Sequence, residues 1–253
     1  MAAIQKLSAL ALLIAAVAPA QAAERPVVVE LFTSQSCSSC PPADALLLEL
    51  ARNRPDLLAL TFHITYWNRL GWRDPYSLDA ATERQNRYAG LLGGASVYTP
   101  QMVVDGTRDV VGSDRIAVEH AIREASPAAA PIALKISRQG TVLSINVDAG
   151  QGSATVWLIG YDGQHRTSVT GGENEGRSLV EANIVRSFQS VARWRSDALH
   201  ATAATPAGEH VAIILQSDDG HILGAARLDD TPGPAAASGP APEWVRQDAG
   251  GGM

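Results

Sequence analysis

The sequence predicts a mixed α/β module followed by a β-rich module. Two patterns carry that expectation. From residue 27 to about 125, buried-strand and helix signals alternate in the order β-α-β-α-β-β-α. After Pro131 the apolar spacing shifts towards period two, with turn residues between the runs. A third observation sets the scale: 253 residues, 46% hydrophobic and 18% charged with formal net charge −6, suit one or two packed domains. No basic tail is present, which argues against a mainly electrostatic nucleic-acid partner. Two cysteines are too few for a disulfide-dense scaffold or a Cys-rich zinc module.

The elements follow in order. Residues 1–22 read as a secretory signal: Lys6 precedes the apolar Leu7–Ala18 stretch, and Ala20-Gln21-Ala22 forms a small-x-small cleavage site. The apolar stretch is short for a ~30 Å membrane core. The expected location is periplasmic or secreted, with no membrane span after signal cleavage. Val27–Phe32 is a buried strand, and Ala43–Arg52, with Leu46, Leu47, Leu48 and Leu50, is a helix. Leu57–Ile64 is a second strand, and Leu78–Leu92 a helix ended by Gly93-Gly94. Gln101–Val104, Asp105-Gly106 and Val110-Val111 make a hairpin. Ser113 caps a helix through Ile122 that Ser126-Pro127 stops.

Beyond Pro131, short strands gather around Ile132–Ile136, Val142–Val147, Val156–Ile159, Val211–Leu215 and Ile222-Leu223. Gly140, Asp162-Gly163 and Asp219-Gly220 supply breaks, and Ala203–Gly208 a loop. From Thr231 the Pro-, Ala- and Gly-rich composition indicates a disordered tail. The expected division is 1–22 signal, 23–126 α/β domain, 127–229 β-rich accessory domain and 230–253 tail.

Chemistry concentrates in Cys37-Ser38-Ser39-Cys40, between a strand and a helix. Two intervening residues let the sulfurs meet within one helical turn. Backbone N–H groups and the helix dipole favour negative charge at the first sulfur. Cys37, at the exposed start, would attack a substrate disulfide, and Cys40, deeper in the turn, would resolve it. Pro41-Pro42 suits the first helical turn. Three readings stay open for the pair: redox chemistry, a fixed Cys37–Cys40 disulfide in a non-catalytic secreted binding module, or soft-metal binding as in a copper(I)-handling protein. A zinc site would need two further ligands at suitable spacing, which the sequence does not offer, so no metal site is assigned. Only three methionines stand against the copper reading.

The element order, with Cys-x-x-Cys after the first strand and Val97-Tyr98-Thr99-Pro100 leading into another, resembles the thioredoxin superfamily. That resemblance implies a thioredoxin-like first domain, with the β-rich accessory domain open to a sandwich form. It also implies a cis bond before Pro100 and a substrate groove shaped by Thr99 and Pro100 beside Ser38 and Ser39. The stretch Leu31–Asp44, LFTSQSCSSCPPAD, is similar to the opening motif of a secreted bacterial family catalogued as domain of unknown function 1223. His63–Pro75, Glu83-Arg84-Gln85, Tyr98–Gln101, Gly172-Glu173-Asn174 and Asn183–Arg186 resemble its later motifs. Acids often stand in that family where Thr65 and Asn68 are here.

Together these readings lead to a periplasmic thiol–disulfide oxidoreductase. Its expected partners are a protein or peptide thiol or disulfide substrate and a redox protein that resets the pair, and no diffusible cofactor is required. The aromatics Tyr66, Trp67 and Trp72 could wall a peptide groove or cap the sheet edge, and His63 reads as a satisfied core histidine. Asp44 could relay protons or stand exposed in the first helical turn. Arg186, Arg193 and Arg195 read as a solvated face.

Overall fold

The computed structural model describes residues 25–94, 96–125 and 132–228. The expected signal segment, the tail and the 126/127 boundary with its Ser126-Pro127 helix stop lie outside them. The described chain forms β1 (Val27–Thr33), α1 (Pro41–Asn53), β2 (Leu57–His63), α2 (Asp79–Leu91), β3 (Gln101–Val104), β4 (Arg108–Val111) and α3 (Arg115–Glu124). There follow β5 (Leu134–Gln139), β6 (Val142–Val147), β7 (Ser153–Ser168), β8 (Ser178–Arg195), β9 (Leu199–Ala204), β10 (His210–Ser217) and β11 (Ile222–Arg227).

An eight-stranded mixed sheet dominates, in the order β11-β10-β7-β8-β2-β1-β3-β4. β1 and β2 run parallel, register Val27↔Leu57 to Thr33↔His63, and β3 joins antiparallel to β1. Both central strands are buried along their full length; most of their residues are apolar, and the exceptions Glu30, Thr33, Thr61 and His63 each find a polar partner. Val29, Leu31, Leu57 and Ala59 face α1 and α3 through Leu46, Leu47, Leu50, Val118 and Ile122. Val28, Phe32, Leu58 and Phe62 pack with Tyr88 of α2 and with Ile159 and Ile214 from the later half of the chain. A second sheet, β5-β6-β9, covers a third cluster: Leu143, Ile145 and Val147 meet Val156, Leu158, Trp194 and Ile213.

The halves before and after residue 127 therefore contribute strands to one sheet. The junction is a short parallel contact, Thr61↔Ile184. Asn183 stands beside it at φ 49°, in the left-handed region that asparagine tolerates, and its Nδ2 donates to Ala59 O at 2.7 Å.

Three local expectations are corrected. Asp162-Gly163 does not end a strand: β7 runs through it, because Asp162 finds side partners in Arg186 and the Glu209 N–H while β8 continues the pairing. The cap of α3 is Asp114, not Ser113, since Asp114 Oδ1 accepts the Ala117 N–H at 3.1 Å. Ala203 and Ala204 belong to β9, paired with Leu143 and Val142, so the loop starts after them. Among the described residues no helix is long and apolar enough to cross a membrane.

Candidate functional site

β1 delivers the chain into a tight loop, Ser34–Cys40, that opens α1. Cys37 and Cys40 form a disulfide with Cα atoms 5.4 Å apart. Pro41 and Pro42 occupy the first helical positions, where a missing N–H costs little. The Cys40 N–H turns back to Cys37 O at 3.2 Å. Around the Cys37 sulfur stand two hydroxyls, Ser39 Oγ and Thr99 Oγ1, each at 3.3 Å. Thr99 is held by the indole of Trp67, whose Nε1 donates to Thr99 Oγ1 at 2.7 Å. The Thr99–Pro100 peptide bond is cis and precedes β3. The structure thus brings Cys37, Ser39, Cys40 and Thr99 together, with Ser38 and Ser39 on the exposed side. Pro100 is buried in the frame behind them, its carbonyl accepting the Gly112 N–H at 2.9 Å.

Cys37 is 2% exposed, not open as its position at the helix start suggested. Its surroundings explain the difference: besides Thr99, a turn of 3-10 helix at Gly172–Asn174, between β7 and β8, crosses the loop. Asn174, fully buried, donates through Nδ2 to Gln35 O at 3.0 Å and Cys37 O at 2.8 Å, while its Oδ1 accepts from Arg177 Nη1 at 2.8 Å. Glu173 Oε2 accepts the Ser38 N–H at 2.9 Å. That bond, first, holds the Glu173 carboxyl below its ordinary range. Gly172, at φ 72°, lies close to Ser36 and Trp72: a Cβ there would come within 3.0 Å of Ser36 Oγ and 3.2 Å of Trp72 Cβ. Glycine is what allows this approach.

Beneath the loop lies a buried ionisable network. Gln35 links its members, its N–H donating to Asp74 Oδ2 at 2.8 Å and its Nε2 to Glu181 Oε2 at 2.6 Å. His63, at the end of β2, places Nδ1 2.8 Å from Asp74 Oδ2 and Nε2 3.7 Å from Glu181 Oε1. Burial works to lower the His63 pKa, but Asp74 and Glu181 together raise it to about 9. Burial likewise works to raise Asp74, yet His63 and the Gln35 and Tyr76 N–H groups bring it below the usual carboxylate range. Asp44, 4% exposed, accepts from Thr33 Oγ1 at 2.8 Å, which removes the exposed-acid reading of its place in α1. Burial, then the Glu181 charge, pushes the Asp44 carboxyl well up.

The His63–Pro75 segment borders the cysteine loop. Besides Trp67, Trp72 Nε1 donates to Gln35 Oε1 at 3.1 Å, and Trp72 O accepts from Ser36 Oγ at 3.0 Å. Sequence reasoning missed Glu181 and Gln35, because nothing in their spacing ties them to His63. Among the described residues, Asp162, His165 and Glu209 also bring donor atoms within 4.8 Å of one another. Asp162 Oδ2 is already 3.0 Å from Arg186 Nη1, and Glu209 Oε2 accepts the Gly163 N–H at 2.8 Å, so the group is internally paired. Arg186 is thereby an ion-pair partner rather than a merely solvated side chain.

Comparison with known proteins places this arrangement. A crystal structure of a protein from Agrobacterium tumefaciens is similar, with TM-score 0.70 and 29% identity over 82% of this chain and 96% of that one. HBP35 of Porphyromonas gingivalis shares the fold at 15% identity and TM-score 0.54, covering 87% of this chain and 80% of that one. No curated protein matches the chain. The family model for a protein of unknown function (DUF1223) matches residues 28–216, a span that holds the cysteine loop, the Gly172–Asn174 turn and the buried network, and the chain belongs to that family.

Proposed function

We propose that this protein is a thioredoxin-like, periplasmic thiol–disulfide oxidoreductase acting on protein or peptide thiols through Cys37 and Cys40. The observation that carries the reading is the Cys37–Cys40 disulfide at the start of α1, with Thr99 Oγ1 at the Cys37 sulfur and Pro100 entering β3. Parallel β1 and β2 beside the antiparallel β3-β4 hairpin add support for a thioredoxin-like first half. The secretory reading rests on residues 1–22 of the sequence.

In the disulfide state a substrate thiolate attacks Cys37 Sγ. The Cys37–Cys40 bond breaks, and its electron pair leaves on Cys40. A second substrate thiolate attacks the mixed disulfide and forms the substrate disulfide. Two electrons have then passed to the protein, which a redox partner removes. The reverse sequence reduces a substrate. Thr99, Ser38 and Ser39 line the approach, and the hydroxyls of Ser39 and Thr99 remain as donors to the sulfur.

The test is capture in periplasmic extracts. Cys40→Ser should hold mixed disulfides through Cys37, and Cys37→Ser few, on non-reducing gels. If Cys40→Ser captures no partner and the pair's reduction potential lies far below about −300 mV, the disulfide is structural and the reading falls.

A further inference from the structure

The backbone donors that usually favour a thiolate at a helix start are largely committed here. Pro41 and Pro42 have no N–H. The Cys40 N–H is bonded to Cys37 O, and the Ser38 N–H, one peptide from Cys37, is bonded to the Glu173 carboxylate. A side chain 135 positions later therefore places a negative charge where an amide would otherwise meet charge developing on sulfur. The turn is fixed there by the Asn174 bonds to Gln35 O and Cys37 O, so Glu173 is positioned by a built contact.

Other charged groups surround the pair. Arg69, on the turn after β2, stands over the Trp67 ring at 5.5 Å and adds a pull on Glu173. Below lie Asp44 on α1, His63 on β2, Asp74 in the following loop and Glu181 on β8. All of these stay in place when Glu173 alone is changed.

We propose that Glu173 is a tuning residue: its charge opposes the Cys37 thiolate and so favours the disulfide over the dithiol. This deepens the oxidoreductase reading, in which Cys37 is the attacking sulfur. The chemistry balances with dithiothreitol as donor. The Cys37–Cys40 bond breaks, dithiothreitol closes its own disulfide, and two electrons pass to the protein sulfurs. Cys40 keeps a proton, while Cys37 keeps or releases one to water according to pH. A charge that disfavours the released state lowers the stability of the reduced form and the reduction potential with it.

Glu173→Gln removes the charge and keeps an acceptor for the Ser38 N–H. In a Cys40→Ser background the rate of Cys37 alkylation by iodoacetamide, followed against pH, should move to lower pH, rising about tenfold near pH 6 for a shift of about one unit. In the two-cysteine protein, equilibrium with glutathione should shift towards the dithiol, approaching about tenfold, ~30 mV more oxidising, at a pH above the Cys37 thiol pKa of both proteins, and less below it. Glu173→Lys should move both further, and 1 M salt should shrink the differences, because the screening length falls to about 3 Å. Superimposable alkylation profiles for parent and Glu173→Gln, or a move to higher pH, would overturn the proposal. Both readouts use purified protein. A missing partner together with a potential far below about −300 mV sinks the oxidoreductase reading without touching the alkylation comparison, and an unmoved profile with partners captured sinks only the tuning role.

Discussion

Replacing Asn174 by alanine tests how the cysteine loop is held. Its carboxamide is fully buried and satisfies two carbonyls, Gln35 O and Cys37 O. After truncation Cys37 O keeps the Cys40 N–H at 3.2 Å, a loss of roughly 0.5–1.5 kcal/mol. Gln35 O loses its carboxamide donor in a buried setting, which costs about 1–3 kcal/mol. Arg177 is an exposed residue and regains water, adding little. The sum is about 1.5–4.5 kcal/mol, or a fall of roughly 0.8–2.2 M in the urea midpoint for a slope near 2 kcal/mol/M. Tryptophan fluorescence follows the transition. Because the same turn covers Cys37, native-state reduction by dithiothreitol should also accelerate several-fold. Asn174→Asp, which swaps a donor for a charge facing two carbonyl oxygens, should be worse. An unchanged midpoint and an unchanged reduction rate in Asn174→Ala would refute the view that this side chain clamps the loop.

Two further perturbations test the interior. Arg84 and Glu30, with side chains 2% and 0% exposed, form an ion pair joined by Tyr88 and Gln216, so Arg84→Ala should cost about 3–5 kcal/mol by stranding Glu30. Pairing Arg84→Met with Glu30→Leu should recover most of that loss in urea unfolding, and a double variant no better than the single one would contradict the account. His63 has a folded pKa of about 9 against an ordinary 6.5, so it binds its proton more tightly when folded. Its contribution, on the order of 3 kcal/mol, is complete below pH 6.5 and lost as pH rises through 9. Melting temperatures between pH 6 and 9.5 should therefore fall in the parent and fall less in His63→Gln, whereas parallel curves would count against the protonated His63.

The parts of the molecule that were legible are those whose signal is local. β1, α1, β2 and the β3-β4 hairpin follow from apolar runs and the Asp105-Gly106 turn, and their bounds lie within a few residues of expectation. β8 was not legible. Ser178–Arg195 carries Glu181, Asn183, Arg186, Gln189 and Arg193, residues that find partners in β7, β2, the cysteine loop and Asp218, and not in their neighbours. Asp162-Gly163 has the dipeptide of a hairpin turn, but its strand pairing and side-chain partners override that preference. At the site, the two cysteines announce themselves by spacing alone. What covers Cys37 does not: Asn174 and Glu173 act from 137 and 135 positions away on residues they meet only after folding.

That separation has a consequence in time. Synthesis at about 5–20 residues per second exposes the cysteine loop roughly 7–27 s before the Gly172–Asn174 turn leaves the ribosome. β1, α1 and β2 can pair in that interval, since their contacts are close in sequence, but the loop has neither its carboxamide clamp nor its glutamate until the later strands arrive. The nascent chain is thus a different chemical object from the finished one. Its two cysteines lack the Glu173 and Asn174 contacts until the later strands arrive, and the order in which the chain emerges decides when the mature environment of Cys37 begins.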